Sequence, residues 1–182
     1  MEIREYIEEG KEARGRISEE EVKFLAGRIA DSIKNGGKLV VFGNGGSAAD
    51  SQHFAAELTG RFLKERGPFP AIALTTNTSA LSAIGNDYSF DSVFERQVMA
   101  LVKENDTVVG ISTSGNSTNV IRGIEAANEI GAFTFGMTGK KGGKLLMVAG
   151  RTFQAHTDLT PIIQEVHIAF IHLVCMVLDT MI

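Results

Sequence analysis

Apolar residues along this chain fall into short runs and long stretches, and the alternation between them carries the fold. Residues 1–36 read as helix. Ser18 followed by Glu19, Glu20 and Glu21 predicts a helix start, with acids where the positive end of the helix dipole favours them. Gly36 and Gly37 end that segment. Short apolar runs rich in β-branched residues then predict strands at 38–42, 71–75, 107–111, 133–137 and 151–155. Helical stretches lie between them, at 47–58 and from the loop after 111 through Asn128. Strands alternating with helices predict an α/β fold: a three-layer sandwich with a central five-stranded parallel sheet flanked by helices. The chain reads as one domain, 1–182, with an N-terminal helical segment (1–36) and an α/β core (37–182) that ends in a long apolar C-terminal helix. That last helix, 163 to about 180, is apolar on nearly every side. One small domain covers only part of such a surface, so the pattern predicts a homo-oligomer.

Composition narrows the function classes. Hydrophobic residues make up 43% and charged residues 22%, ordinary for a globular protein, and the net charge is −4 with both signs mixed along the chain. No basic stretch offers a footprint for nucleic acid, so none is expected as a partner. The longest apolar run, 168–178, contains His172 and falls short of the roughly 20 residues a bilayer span needs, so no membrane partner is expected either. Cys175 has no second cysteine to pair with and reads as a small core residue. The first five residues do not resemble a secretion signal, which makes the cytoplasm the expected compartment.

Two loops carry candidate chemistry, and both follow a strand and open a helix. Gly43-Asn44-Gly45-Gly46-Ser47 lets the backbone turn sharply and presents free helix N–H groups to an anion. Its loose match to a dinucleotide fingerprint carries little weight, because the second strand ends in Leu74, Thr75, Thr76 and Asn77 without a carboxylate for a ribose. Ser112-Thr113-Ser114-Gly115-Asn116-Ser117 sets four hydroxyls at a helix start. One would suffice as a cap, so the excess favours phosphate binding by hydroxyls and backbone N–H groups, without a lysine.

The candidate reacting groups lie on helices. His53 and Glu57 are four apart, on one face, and suit either a shared divalent metal, acid–base work or a plain surface ion pair. Asp50 shares that face and is a candidate partner behind them. The last helix carries Gln164, His167 and His172, polar groups that are costly in so apolar a setting unless paired. Spacing alone does not choose between the two histidines.

Taken as a set, the strand–Gly-Asn-Gly-Gly-Ser–helix and strand–Ser-Thr-Ser-Gly-Asn-Ser–helix motifs resemble the signature loops of the SIS (sugar isomerase) fold, over nearly the whole chain. The heptose-phosphate isomerase branch of that family has a His-x-x-x-Glu pair joined by a Gln and a later His on the last helix. These match His53, Glu57, Gln164 and His172. The resemblance implies one zinc ion per subunit on those four residues, with Glu57 and His172 as the catalytic proton-transfer pair. It implies a sugar-phosphate substrate held by Asn44, Gly45, Gly46, Ser47, Arg61, Asn86, Asp87, Ser112, Thr113, Ser114, Ser117 and Gln164. The implied reaction is aldose–ketose isomerisation of sedoheptulose 7-phosphate to D-glycero-D-manno-heptose 7-phosphate through an enediol, opening nucleotide-activated heptose biosynthesis. A homotetramer with sites at subunit interfaces is implied as well. Relatives often carry Asp where Pro161 stands, and Asp158 is the nearest acid here.

Two other readings share the fold. A non-catalytic SIS adaptor that binds a bacterial replication initiator is similar overall but lacks the Glu and the last His, both present here as Glu57 and His172. Phosphosugar-sensing transcription regulators resemble an SIS domain fused to a helix-turn-helix module, for which the acidic segment before Ser18 leaves no room.

Overall fold

In the computed structural model, which describes Met1–Ile182, the five expected strands form a single parallel sheet. They are β1 (Leu39–Gly43), β2 (Ala71–Ala73), β3 (Thr107–Ile111), β4 (Phe133–Thr138) and β5 (Arg151–Gln154), in the order β2-β1-β3-β4-β5. Side chains alternate across the sheet, which divides the core into two layers. Leu39, Val41, Val109, Ile111, Phe135, Met137 and Phe153 face one way. They pack on α2 (Glu19–Lys34), α3 (Gly46–Thr59) and α8 (Thr160–Met181). Val40, Phe42 and Val108 face the other way, against α5 (Val93–Leu101) and α6 (Thr118–Ile130).

The structure departs from the sequence reading at several edges. The first 36 residues form two helices, α1 (Ile3–Gly15) and α2, not one; Ser18 is the N-cap of the second, though its hydroxyl makes no capping bond. The second strand stops at Ala73, and Thr75 lies in the turn beyond it. Three further helices, α4 (Thr78–Asp87), α5 and the short α7 (Leu145–Val148), were not read from the sequence, and a 3-10 turn (Phe90–Ser92) leads into α5. The last helix begins at Thr160, with Pro161 in its first turn, where a missing N–H costs nothing. At 22 residues it is long and apolar enough to cross a membrane by length and composition alone. Its packing against the sheet, with Ile162, Val166, Phe170, Val174 and Leu178 buried, makes it the central helix of one core layer. A second stripe on it, Leu173, Met176 and Val177, lines an open apolar groove with Ile17 and Val22.

Candidate active site

In this strand order the chain leaves β1 to one side for β2 and returns to the other side for β3. The crevice beyond the carboxyl ends of β1 and β3 is therefore the switch point where ligands of such sheets bind. Both motif loops open onto it. Asn44 and Gly45 lead into α3 at Gly46 and Ser47, and the serine loop, Ser112 through Ser117, leads into α6. A reciprocal amide pair ties them together: Asn44 Nδ2 donates to Asn119 Oδ1 at 2.8 Å, and Asn119 Nδ2 donates to Asn44 Oδ1 at 2.9 Å. Sequence reasoning missed Asn119; it is a buried polar residue in the first turn of the helix, visible as an oddity only once burial is known.

Within the serine loop, the Ser112 hydroxyl lies 2.9 Å from that of Ser117 and 3.5 Å from that of Ser114, which in turn accepts from the Asn116 amide. A glycine-rich segment braces the loop from behind. Gly139 N donates to Thr113 O at 2.9 Å, Leu145 N to Gly115 O at 2.9 Å, and Lys144 N to Asn116 Oδ1 at 3.1 Å. Gly115 has φ +67°, and a Cβ there would run into the carbonyl of Gly142. Hydroxyls converging at a helix start suit an oxyanion. The neighbouring cleft, lined by Thr113, Ser114, Lys140, Lys141, Asp158 and Thr160, supplies positive charge close by.

The candidate reacting groups meet between α3 and α8, which run side by side in the same direction. At their N-terminal ends the Gln164 amide rests on Gly46, so closely that any side chain at 46 would collide with it. Two turns on, His53 Nε2 lies 3.0 Å from His172 Nε2 and 3.0 Å from Glu57 Oε1. The ligand atoms of all three residues fall within 4.8 Å of one another. One proton on His53 Nε2 can serve only one of its two contacts well. Three lone-pair donors converging in this way suit a divalent cation, whose tetrahedral N and O ligands sit about 3.3 Å apart. Gln164 is placed apart from this trio: Gly46 and His53 are seven residues, about 10 Å, apart along the helix.

Around the trio, Phe62 stacks on the His172 ring, centroids 5.7 Å apart. Burial pushes the Asp50 carboxyl up to about 6, with His53 acting in the opposite direction, and its Oδ2 is buried without a partner. His167 has a different task from His172. The two are five residues apart, about 140° around the helix. His167 is fully buried, its Nε2–H donating to the Thr138 carbonyl at 3.0 Å, and burial pushes its imidazole down to about 4.

Arg61 is exposed and pairs with Glu65 at 3.4 Å. Asn86 and Asp87, at the end of α4, are exposed and bond one another at 2.8 Å. Their helix packs on the 3-10 turn and α5, so a single chain does not bring them to the His53 trio. Asp158 faces Lys141 at 3.9 Å beside the serine loop.

A parallel sheet with a hydroxyl loop at its switch point and a His/Glu/His cluster beside it defines a sugar-phosphate-binding α/β protein of the SIS class, and the SIS domain model matches residues 5–139. Similarity is higher still to a narrower group. A protein named "Probable phosphoheptose isomerase" from Thermoplasma acidophilum is 57% identical over 179 residues, 98% of either chain. The solved phosphoheptose isomerase of Neisseria gonorrhoeae superposes with a TM-score of 0.89 at 43% identity, covering 97% of this chain and 95% of that one. That of Francisella tularensis superposes at 0.93 with 33% identity, covering 98% and 96%. The chain belongs to the phosphoheptose isomerase family of SIS-domain proteins.

Proposed function

We propose that this protein is an aldose–ketose isomerase that converts sedoheptulose 7-phosphate to D-glycero-D-manno-heptose 7-phosphate, the first step towards nucleotide-activated heptose. The observation that carries this reading is the convergence of Glu57, His53 and His172 next to a phosphate-type hydroxyl loop, on a chain with phosphoheptose isomerases as relatives.

The chemistry moves a proton between C1 and C2 of the sugar through an enediol. Glu57 takes the carbon-bound proton, and His172 donates a proton to the carbonyl oxygen, giving the enediol; Glu57 then returns its proton to the adjacent carbon while the now neutral His172 takes the proton of the other hydroxyl, whose oxygen becomes the new carbonyl, and the roles exchange in reverse. Ser112, Thr113, Ser114, Ser117 and Ser47, with the N–H groups of both helix starts, hold the phosphate away from the reacting carbons and act in binding alone. Asn44, Gly45, Gly46 and Gln164 lie towards the path between, and Arg61, beyond Glu57 on the far side of the trio, is assigned a further substrate contact. His53, Glu57 and His172 would hold a zinc ion, with Gln164 the fourth ligand that the family resemblance implies. Bound there, zinc would supply Lewis-acid stabilisation of the charge that develops on the enediolate oxygen. Asp50, one turn before His53, is the candidate to orient that imidazole.

Several exposed apolar groups favour assembly into a tetramer with sites at subunit interfaces. Leu63, Tyr88 and Phe90 are 69%, 62% and 58% exposed, α4 buries no residue, and the Leu173–Met176–Val177 stripe is open. Such an interface would also bring Asn86 and Asp87 of a neighbour towards the trio. The cytoplasm is the compartment we assign, in keeping with a single buried thiol and no disulfide. The adaptor reading is set aside because Glu57 and His172 are both present and face each other across His53.

Turnover of sedoheptulose 7-phosphate by the purified protein tests this directly. Activity lost to a chelator and regained with zinc is expected. Activity indifferent to chelation keeps the isomerase and removes the metal; no turnover by the folded protein under any condition moves the reading to the adaptor. Glu57→Gln is expected to bind substrate but not turn it over.

A further inference from the structure

Between the two reacting helices and remote from the phosphate loop lies a buried ion pair that the chemistry above does not use. Arg66 and Asp179 have side chains only 7% and 5% exposed, and Arg66 Nε donates to Asp179 Oδ1 at 2.8 Å. The rest of each group is also engaged. Arg66 donates through Nη2 to the Glu57 carbonyl at 3.0 Å and through Nη1 to the carbonyls of Leu58, at 3.0 Å, and Gly67, at 3.1 Å. Its guanidinium lies over the Phe69 ring, 3.9 Å from the centroid. Asp179 Oδ2 accepts from the backbone amides of both Leu63 and Lys64 at 3.0 Å.

Asp179 is an expensive choice of residue. It is buried, and it stands in the last turn of α8, where the helix dipole disfavours a negative charge. Burial pushes its carboxyl up, but the bonds from Arg66 and from the Lys64 and Leu63 amides outweigh that and hold it below the usual carboxylate range. An arrangement that opposes both burial and the dipole needs a compensating role, and its contacts indicate one. Arg66 caps the end of α3 at the carbonyl of Glu57 itself. Asp179 fixes the backbone immediately after Arg61 and Phe62, and Phe62 stacks on His172. The same two side chains therefore bridge the end of the helix that carries Glu57, the loop that packs on His172, and the end of the helix that carries His172.

We propose that Arg66 and Asp179 form a positioning clasp that sets the separation of Glu57 and His172 and the seating of Phe62 on His172. The clasp rests on the assignment of those two residues as the proton-transfer pair. It touches neither the serine loop nor the Asn44–Asn119 bridge, so it governs the chemical step more than substrate capture.

Removing one partner strands a buried charge and destabilises the fold, whereas replacing both by apolar groups of similar size is often tolerated. The decisive variants are therefore the double replacement Arg66→Met with Asp179→Leu, and separately Arg66→Lys, which keeps a cation but cannot reach Asp179 and the Glu57 and Leu58 carbonyls together. Steady-state kinetics and thermal melts are measured on both, with Glu57→Gln alongside. The expected result is a kcat at least about tenfold lower in both variants, with KM changed less than about threefold and a double variant that still melts in one cooperative transition, at a temperature lowered by the backbone groups left without partners. Near-wild-type kcat in either folded variant overturns the clasp, because the pair is then only a staple for the fold. A Glu57→Gln protein that remains active overturns the underlying assignment instead, and the two failures are told apart by which variant keeps its rate.

Discussion

His167→Gln removes a titrating group from the core while keeping a donor within reach of the Thr138 carbonyl. In the folded protein burial pushes the imidazole from its ordinary 6.5 down to about 4, so the native state keeps it neutral over a range in which the unfolded chain takes up a proton. The sign follows from that difference: the stability this group permits is full above pH 6.5 and is lost as pH falls from 6.5 towards about 4. A shift of this size corresponds to about 3 kcal/mol across the whole window and about 2.5 kcal/mol by pH 4.5. Asp50 works in the opposite direction, since its carboxyl is raised from 3.8 to about 6 and the fold loses stability as pH rises through that interval. The wild-type profile alone therefore partly conceals the histidine. The informative quantity is the wild-type stability minus that of His167→Gln, from urea unfolding at about pH 7 and about pH 4.5 at fixed protein concentration, in which the Asp50 contribution cancels. That difference should shrink by about 2–3 kcal/mol on going to the lower pH. A difference that stays constant to within about 0.5 kcal/mol would refute the buried neutral imidazole.

Two further predictions concern the phosphate end of the site. Asn119→Ala leaves the Asn44 amide without its partner, at a cost of about 1–3 kcal/mol. A lower Tm and a raised KM are expected, and adding Asn44→Ala should cost less than it does alone; strict additivity in a double-mutant cycle would mean the amides do not act as a pair. Gly115→Ala places a Cβ against the Gly142 carbonyl at a φ of +67°. The serine loop should shift, raising KM about tenfold with kcat nearly unchanged, and an unaltered KM would show that the loop's backbone path is not needed for phosphate binding.

Much of this architecture is legible in the chain because its signals are local. The β-branched runs are short, the glycine and serine loops fall where strands hand over to helices, and His53 and Glu57 are neighbours on one helical face. The features that escaped are non-local or weak. Arg66 and Asp179 are 113 positions apart, and Asn44 and Asn119 are 75 apart, so neither pair has a sequence pattern to announce it. Helix α4 buries nothing, and without a buried face it has no strong apolar period to read. The division of labour between His167 and His172 was hidden for a related reason. Both lie in one apolar helix, and only the 140° between their faces, set against a sheet on one side and α3 on the other, separates a core hydrogen bond from a candidate reacting group.

Cys175 takes no part in the chemistry, yet its position makes it a clock for the machinery around it. It is 1% exposed on the inner face of α8, and burial, with the nearby charges of Glu57 and Asp179, pushes its thiol far above the ordinary range. A thiol so placed is inert while the helices are closed and becomes reactive only when they part. Because no other cysteine competes, the rate at which a thiol reagent labels the native protein follows the opening of the contact between α3 and α8. Every breath of the site is thus recorded by a single sulfur atom, and a ligand that draws the two helices together should slow that clock in proportion to its occupancy.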